Sequence, residues 1–324
     1  MMRIRAFEEA ANKASQGGVA AFGQKVGDVA KVRGPLHLSI GQEAVATGVC
    51  EHLEKTDFLT STHRGHGHTL AKGADLTRMM HELFGRSSGF CGGRGGSMHI
   101  ADFSVGMLGA NGVVAAGIPI AVGAAHSMSI QGRSAIAVSF FGDGAINRGP
   151  FAEALNWAAV FKLPVLFVCE DNQWSATTRT DQMSAGEGAA ARARANGVPA
   201  TTVDGMDIDA VWLAAGELIG AIRRGEGPQL LHAMTYRFTG HVSVDPAAYR
   251  DPAELAEAVK NDPIALARVR YEQAGIAPAT IEKTFQDAEQ EVMEAVRSAS
   301  AAPWPEDSAA FSEVQDLFES GLDV

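Results

Sequence analysis

The clearest hydrophobic pattern lies in the middle of the chain, where short apolar runs flank a longer amphipathic stretch. Residues 134–141 (SAIAVSFF) and 164–169 (PVLFVC) are apolar almost throughout and have the length of strands. Between them, residues 148–161 place Phe151 and Leu155 on one face of a predicted helix. Continuous apolar strands joined by a helix are typical of a parallel sheet with helices on both faces. The sequence therefore predicts an α/β fold.

Weaker patterns extend this fold in both directions. They predict helices over residues 1–18, 36–53, 76–84, 113–128 and 211–224, and strands over residues 57–62, 202–203 and 228–234. Ser39 and Glu43 resemble a start signal for the second of these helices. Residues 85–112 are rich in glycine and are predicted to form an ordered loop. The last part is again helical, so we expect one domain over residues 1–324 with a C-terminal helical extension over 252–324.

The composition argues against several classes of binding partner and against a membrane protein. The 324 residues include 27 Lys and Arg against 38 Asp and Glu, which gives a formal net charge of −11. This acidic balance argues against non-specific nucleic-acid binding and against an anionic membrane surface as partner. No apolar stretch reaches the roughly 18 residues of a membrane span. The three cysteines are widely spaced, as in proteins of a reducing compartment, so we expect a cytoplasmic protein.

Polar residues follow both central strands. Gly142, Asp143 and Gly144 end the first strand, and Asp171 and Asn172 end the second. A right-handed crossover through one helix would bring the two strand ends together at the edge where parallel sheets bind ligands. Glycine N–H groups and a helix N-terminus suit a phosphate, and carboxylate and amide oxygens suit Mg²⁺. Each motif alone fits an ordinary turn, but the pair favours a magnesium–diphosphate site.

This pair of motifs also resembles a known family. GDG followed one helix and one strand later by Asn is the thiamine diphosphate motif, and residues 140–174 are similar to the α subunit of the 2-oxo acid dehydrogenase E1 component. The segments LSIGQEAVATG, THRGHGHTLAKGADL, GRGGSMHIAD and GMLGANG agree with this resemblance, which spans about residues 1 to 270. Acetoin dehydrogenase α subunits look closest, with the pyruvate and branched-chain enzymes as near relatives.

The resemblance implies roles for particular residues. The Mg²⁺ ligands would be Asp143, Asn172 and the carbonyl of Trp174. The diphosphate would be held by His63, Arg64, Gly142, Gly144, Ala145 and Arg237. The aminopyrimidine would meet backbone groups of Gly112 and Val114. The catalytic histidines would be His66 and His241.

The resemblance also implies the fold, the reaction and the partners. The fold would be the diphosphate-binding domain of thiamine diphosphate enzymes. The protein would cleave acetoin, or decarboxylate pyruvate, and pass the hydroxyethyl or acetyl unit to a lipoyl E2 partner. The carboxylate that activates the aminopyrimidine would come from a separate E1 β subunit. We therefore expect an α2β2 heterotetramer, with the small-residue helix over 113–128 at the subunit contact.

Some alternatives stay open at this point. The family usually has Glu-Asn-Asn where this chain has Glu170, Asp171 and Asn172, and this change is the only support for a catalytically silent scaffold subunit. A branched-chain substrate is a further alternative. A dinucleotide-dependent oxidoreductase is disfavoured, because no GxGxxG motif follows a strand. The motif HxxHxH at 63–68 could bind zinc but lacks the usual helix spacing, and GRGGS at 93–97 could be a phosphate cradle or a plain turn.

Overall fold

The apolar runs at the centre of the chain form the middle strands of a parallel sheet. The computed structural model describes residues 1–16 and 31–311, and within them six strands pair in the order β2-β1-β3-β4-β8-β7. These strands are β1 (Phe58–Thr60), β2 (Met107–Gly109), β3 (Ala137–Gly142), β4 (Val165–Asp171), β7 (Ala200–Asp204) and β8 (Gln229–Met234). The remaining two, β5 (Trp174–Ser175) and β6 (Thr178–Arg179), form a small antiparallel hairpin.

Helices cover both faces of the sheet, as the strand pattern predicts. Those before the hairpin are α1 (Met2–Ser15), α2 (Glu43–Cys50), α3 (His66–Ala71), α4 (Leu76–Leu83), α5 (Gly117–Ile130) and α6 (Gly149–Phe161). Those after it are α7 (Thr180–Met183), α8 (Gly188–Ala195), α9 (Ile208–Arg223), α10 (Pro252–Val259), α11 (Pro263–Gln273) and α12 (Pro278–Ala301). Among the helices described, none combines the length and the hydropathy needed to cross a bilayer.

Alternate residues of the central strands face two separate cores. On β3 and β4, Val138 and Phe140 join Leu166 and Val168 in a core shared with α1, α2, α4, α9 and α12. The apolar residues on the other face, which include Phe141, Phe167 and Cys169, belong to a second core shared with α5, α6 and α8. This is the period of two that a strand imposes on its side chains. The α/β prediction is therefore confirmed, with helix α12 of the predicted C-terminal extension packed into the first core.

Three predicted elements differ from the structure. Helix α2 begins at Glu43 without a side-chain cap, because the backbone N–H and the hydroxyl of Ser39 both donate to buried Glu8. Helix α5 begins at Gly117 rather than at Val113, because the preceding residues form a turn in which Ala115 has a φ of 73°. The glycine-rich loop contains the edge strand β2, which sequence patterns missed because it is three residues long. Residues 17–18 of the first predicted helix, and 312–324 of the predicted extension, lie outside the described residues.

Buried Asp57 joins three elements at the N-terminal edge of the sheet. One carboxylate oxygen accepts a hydrogen bond from the backbone of Ile136 just before β3, and the other accepts one from the backbone of Glu54. Arg223, at the end of α9, donates to the same carboxylate over 2.6 Å. The carboxylate is fully buried, so its charge depends on these donors.

We expect Asp57→Ala to lower the free energy of unfolding by at least about 3 kcal/mol, because it leaves buried donors without an acceptor. The measurement is chemical unfolding followed by circular dichroism. The matched control is Asp287→Ala, which removes an exposed helical ion pair with Lys283 and is expected to cost about 0.5 kcal/mol or less. Equal effects of the two substitutions would contradict this account.

Candidate functional site

A cavity of about 230 Å³ lies where β1, β3 and β4 end. The thirteen site residues predicted from the sequence all lie in the described part of the chain, and twelve of them line this cavity. They are His63, Arg64, Gly112, Val114, Gly142, Asp143, Gly144, Ala145, Asn172, Trp174, Arg237 and His241. The structure thus brings together residues that are up to 178 positions apart in the sequence, from His63 to His241. Their individual roles stay predictions.

Asp143 supplies a buried carboxylate at the end of β3. It opens a short 3-10 helix, Asp143–Asn147, and its side chain accepts a hydrogen bond from the hydroxyl of Thr180. Burial raises its pKa to about 6, against the opposing effect of the Thr180 hydrogen bond and with added repulsion from Asp171. A raised pKa means that the charge is poorly compensated by the groups around it. A bound cation would supply the missing compensation.

Asn172 stands on a tight turn directly after β4. Its side-chain N–H donates to the amide oxygen of Gln42 over 2.7 Å, and its amide oxygen accepts from the backbone N–H of Trp174 over 3.2 Å. Between them, Gln173 has a φ of 66°, so the turn passes through the left-handed region. An amide oxygen has two acceptor sites, so Asn172 keeps one for a further ligand.

Two buried arginines line the same cavity. Arg237 donates to the carbonyl of Ala176 over 3.1 Å, and Arg64 donates to the carbonyls of Leu38 and His241. Burial lowers the pKa of Arg237 to about 10 and that of Arg64 to about 9, with further lowering by neighbouring positive charges. Among the described residues, no carboxylate forms an ion pair with either guanidinium group, and a diphosphate would supply an anion for both.

Three histidines cluster beside these arginines. Ring nitrogens of His37, His63 and His241 lie within 4.8 Å of one another. Burial lowers their pKa values to about 2, 3 and 4 respectively, and the nearby positive charge of Arg64 lowers all three further. The rings are therefore neutral near pH 7. The adjacent arginines, Arg64 and Arg237, make the cluster unsuited to a cation despite its three nitrogen donors.

The mouth of the cavity is formed by the turn before α5. Gly112 and Val114 line it, and the side chain of Asn111 accepts a hydrogen bond from the backbone of Val113 over 2.8 Å. Elsewhere in the lining, a Cβ at Gly144 would lie 2.3 Å from the hydroxyl of Ser175 and 2.9 Å from its Cβ, so a larger residue there would have to displace Ser175.

His66 lies outside the cavity lining. It begins α3 with a fully buried side chain, and its Nδ1 is 2.9 Å from the carboxylate of Glu8. Its Nε2 is 3.0 Å from the hydroxyl of Ser97, in the glycine-rich loop. Both ring nitrogens are thus engaged with protein groups. The structure gives His66 contacts that join α1 to this loop and does not bring it to the groups that line the cavity.

Sequence reasoning missed other residues of the cavity. His37, Gln42 and Glu170 line it as well, and all three are buried. Within the described ranges, 1–16 and 31–311, Nδ1 of His37 and Nε2 of Gln42 have no hydrogen-bond partner. The segment LSIGQEAVATG contributed to the family resemblance, but nothing in its own pattern showed that it packs against the ends of β3 and β4. Buried polar atoms without partners fit a polar ligand in this cavity.

The HxxHxH and GRGGS motifs make contacts with other groups of the protein, and these contacts involve neither a metal nor a phosphate. Of the HxxHxH histidines, only His63 belongs to the cavity lining. His68 instead contacts Ser61 and Glu170. The GRGGS segment wraps around the buried carboxylate of Glu82. That carboxylate accepts backbone hydrogen bonds from Cys91, Gly93, Gly95 and Gly96. A protein carboxylate therefore fills the position that a phosphate would occupy.

The donor set fits magnesium and a diphosphate together. The cavity combines one buried, poorly compensated carboxylate with a nearby amide oxygen, and these are hard oxygen ligands of the kind Mg²⁺ prefers. It also contains two desolvated arginines suited to an anion. A cavity that contains both a carboxylate and two arginine side chains matches a ligand that combines a cation with an anion.

Comparisons with known proteins agree with this geometry. A family model described as "Dehydrogenase E1 component" matches residues 25–308. The alpha subunit of acetoin:2,6-dichlorophenolindophenol oxidoreductase from Bacillus subtilis is 42% identical over 325 residues, covering 99% of this chain and 93% of the relative. The same subunit from Cupriavidus necator is 42% identical over 307 residues, covering 94% and 89%. The alpha subunit of the pyruvate dehydrogenase E1 component from Zymomonas mobilis is 37% identical over 316 residues, covering 97% and 86%.

These matches extend over 94% or more of this chain and 86% or more of each relative, so they rest on far more than one motif. They confirm the family resemblance carried by the GDG and Asn motifs. Enzymes of this family use thiamine diphosphate. The chain therefore belongs to the dehydrogenase E1 component family, as an α subunit of a thiamine diphosphate-dependent oxidoreductase of the acetoin and pyruvate dehydrogenase type.

Proposed function

We propose that this chain binds thiamine diphosphate with Mg²⁺ and, together with an E1 β subunit, cleaves acetoin and passes the two-carbon unit to a lipoyl E2 partner in the cytoplasm. The observation that carries the proposal is the meeting of buried Asp143 and Asn172 with buried Arg237 in one cavity. Acetoin is preferred to pyruvate because the two acetoin relatives named above match at 42% identity over at least 89% of their length. Pyruvate is the second candidate.

Different groups of the protein would bind the metal ion, the diphosphate and the aminopyrimidine. Asp143, Asn172 and the carbonyl of Trp174 would hold Mg²⁺, as the family resemblance implies. Arg237, His63 and Arg64, with backbone groups of Gly142, Gly144 and Ala145, would contact the diphosphate. The rim residues Gly112 and Val114 would meet the aminopyrimidine through their backbone. Thiamine diphosphate, when bound, supplies a carbon nucleophile and an electron sink for breaking the bond beside a carbonyl.

His241 is the strongest candidate for proton handling. Its backbone N–H donates to the carboxylate of Asp245 over 2.7 Å, which fixes its position after β8. Burial lowers its pKa to about 4, so Nδ1 or Nε2 can accept a proton near pH 7. Arg237 lies 3.5 Å from Nδ1 and disfavours a lasting positive charge on the ring. His66 is left with a supporting role through Glu8 and Ser97.

The cavity needs a group that the described residues do not offer. Activation of the aminopyrimidine needs a free carboxylate, and the acidic residues among those that line the cavity are Asp143 and Glu170. Asp143 is assigned to the metal, and Glu170 contacts His68 over 3.1 Å. A β subunit would supply the missing carboxylate, in an α2β2 assembly. The relatives' names as alpha subunits support a β partner.

An exposed apolar surface beside the cavity would receive this partner. We call it the α5–α6 face, and it comprises Val113, Val114, Ile120, Trp157, Val160 and Phe161. The rings of Trp157 and Phe161 pack on each other and on His126 of α5, which joins the two helices into one surface. Val113 and Val114 belong both to this face and to the cavity lining. Exposed apolar surface of this kind marks interaction sites.

Turnover of acetoin tests the proposal directly. We expect the chain, co-expressed with its β subunit and supplied with thiamine diphosphate and Mg²⁺, to reduce an artificial dye with acetoin faster than with pyruvate. Faster reduction with pyruvate or a branched 2-oxo acid would overturn the substrate assignment. No reduction with any of these substrates, in an assembled complex, would favour a catalytically silent subunit.

Asp143→Asn should stabilise the metal-free chain while removing cofactor binding. In the folded chain the Asp143 carboxyl has a pKa of about 6, and in the unfolded chain it has the ordinary value of about 4. The buried charge therefore costs stability above pH 6, and this cost disappears as the pH falls towards 4. We expect a gain of about 3 kcal/mol at pH 7.5 and almost none at pH 4, measured by chemical unfolding.

The same variant should lose Mg²⁺-dependent binding of thiamine diphosphate when assembled with its partner, as measured by calorimetry. Asp181→Asn is the matched control, because Asp181 is exposed and close in sequence to Thr180. Asp181→Asn should change neither the free energy of unfolding nor the Mg²⁺-dependent binding of thiamine diphosphate. Undiminished cofactor binding by Asp143→Asn would contradict the assignment of Asp143 as a metal ligand.

Trp157→Ala should weaken assembly with the β subunit. Truncating a central aromatic residue of an interface costs about 2 kcal/mol, or about 30-fold in affinity. The measurement is the dissociation constant of the two subunits by sedimentation or light scattering. Trp212→Ala is the control, since Trp212 on α9 is similarly exposed, 45% against 48%, but lies away from the cavity lining. Equal weakening by both would contradict the choice of the α5–α6 face.

A further inference from the structure

Asp171 and His232 form a buried pair next to the proposed metal ligands. Asp171 is the last residue of β4, directly before Asn172, and His232 lies on the neighbouring strand β8. Nε2 of His232 is 2.9 Å from Oδ2 of Asp171. Asp171 is 6% exposed and His232 is 5% exposed. A buried carboxyl group without a hydrogen-bond partner would be costly, and His232 supplies that partner.

The second carboxylate oxygen of Asp171 shapes the turn that carries the metal ligands. Oδ1 accepts a hydrogen bond from the backbone N–H of Gln173 over 3.1 Å. Asn172 repeats this arrangement one residue later, with its own side chain accepting from Trp174. The carbonyl of Asp171 accepts from Thr235 over 2.8 Å and anchors the start of the turn to the end of β8. Side-chain acceptors of this type stabilise local turns, here one with Gln173 in the left-handed region.

Asp171 also places a negative charge close to the cation site. Gly142 lies opposite Glu170 on the paired strands β3 and β4. The next residues, Asp143 and Asp171, therefore lie at the same edge of the sheet. Like charges placed on neighbouring strands in this way repel each other. A divalent cation between or beside them would be attracted by both charges. An asparagine in place of Asp171 could accept the same backbone hydrogen bond but would carry no charge.

We propose that Asp171, held by His232, is a positioning residue of the cation site: it fixes the turn that presents Asn172 and Trp174, and its charge strengthens Mg²⁺ binding. The inference rests on the proposed magnesium–diphosphate function and assigns a role to two residues outside the proposed ligand set. It also explains how an acidic residue is accommodated at this position, since the chain provides a histidine donor on the adjacent strand.

The test is calorimetric titration of Mg²⁺ into the assembled α and β subunits at saturating thiamine diphosphate. We expect Asp171→Asn to weaken Mg²⁺ binding about 10-fold, the lower end of the range for groups that orient metal ligands. His232→Asn should also weaken it, by leaving Asp171 without its donor. The double variant should bind no more weakly than Asp171→Asn alone, because His232 acts through Asp171.

Thermal unfolding of each variant shows whether it is folded. If Asp171→Asn does not assemble with the β subunit, the Mg²⁺ affinity of His232→Asn tests the inference instead. The control, Asp181→Asn, removes an exposed charge and should bind Mg²⁺ within about twofold of the unaltered protein. Unchanged Mg²⁺ affinity in folded Asp171→Asn would overturn the inference while leaving the proposed function intact. Absence of Mg²⁺-dependent binding in the unaltered assembly would overturn both.

Discussion

The register between β3 and β4 is the constraint on which the site depends. The two strands are paired residue by residue up to Gly142 opposite Glu170, and β4 continues for one residue more, so both end within one residue of the same level. This places Asp143 and Asn172, the residues that follow, at one edge. A shift of one residue would exchange the faces of every side chain on the strand. The alternation of Val138 and its neighbours between two apolar cores makes that shift costly.

A second constraint is the unbalanced charge that this geometry creates. Burial makes the negative charge of Asp143 and the positive charges of Arg64 and Arg237 costly, and the described groups around them compensate these charges only in part. Each charge is unfavourable in the chain alone, and a ligand that carries both signs would relieve all of them at once. Binding sites often lower the stability of the ligand-free protein in this way, and ligand binding then restores it. Burial lowers the pKa values of the histidines beside the arginines, and the positive charge of Arg64 lowers them further.

The sequence predicts the centre of this molecule better than its periphery. Strands β3 and β4 were predictable because buried parallel strands are continuously apolar, and the residues that follow them were predictable because strand ends bind ligands. The start of α5 was misplaced because the turn around Ala115 has the same small apolar residues as the helix. His37 and Gln42 were missed because only tertiary packing brings that segment to the cavity. His66 shares a motif with His63, yet the first turn of α3 directs it to Glu8.

The central claim is that this chain completes a thiamine diphosphate site only with Mg²⁺ and a β subunit. The most direct test is calorimetric titration of thiamine diphosphate into the chain alone and into the assembled complex, each with and without Mg²⁺. The account predicts saturable binding in the complex with Mg²⁺, and little or none when the metal or the partner is missing. Absence of binding in the assembled, Mg²⁺-containing complex would contradict it.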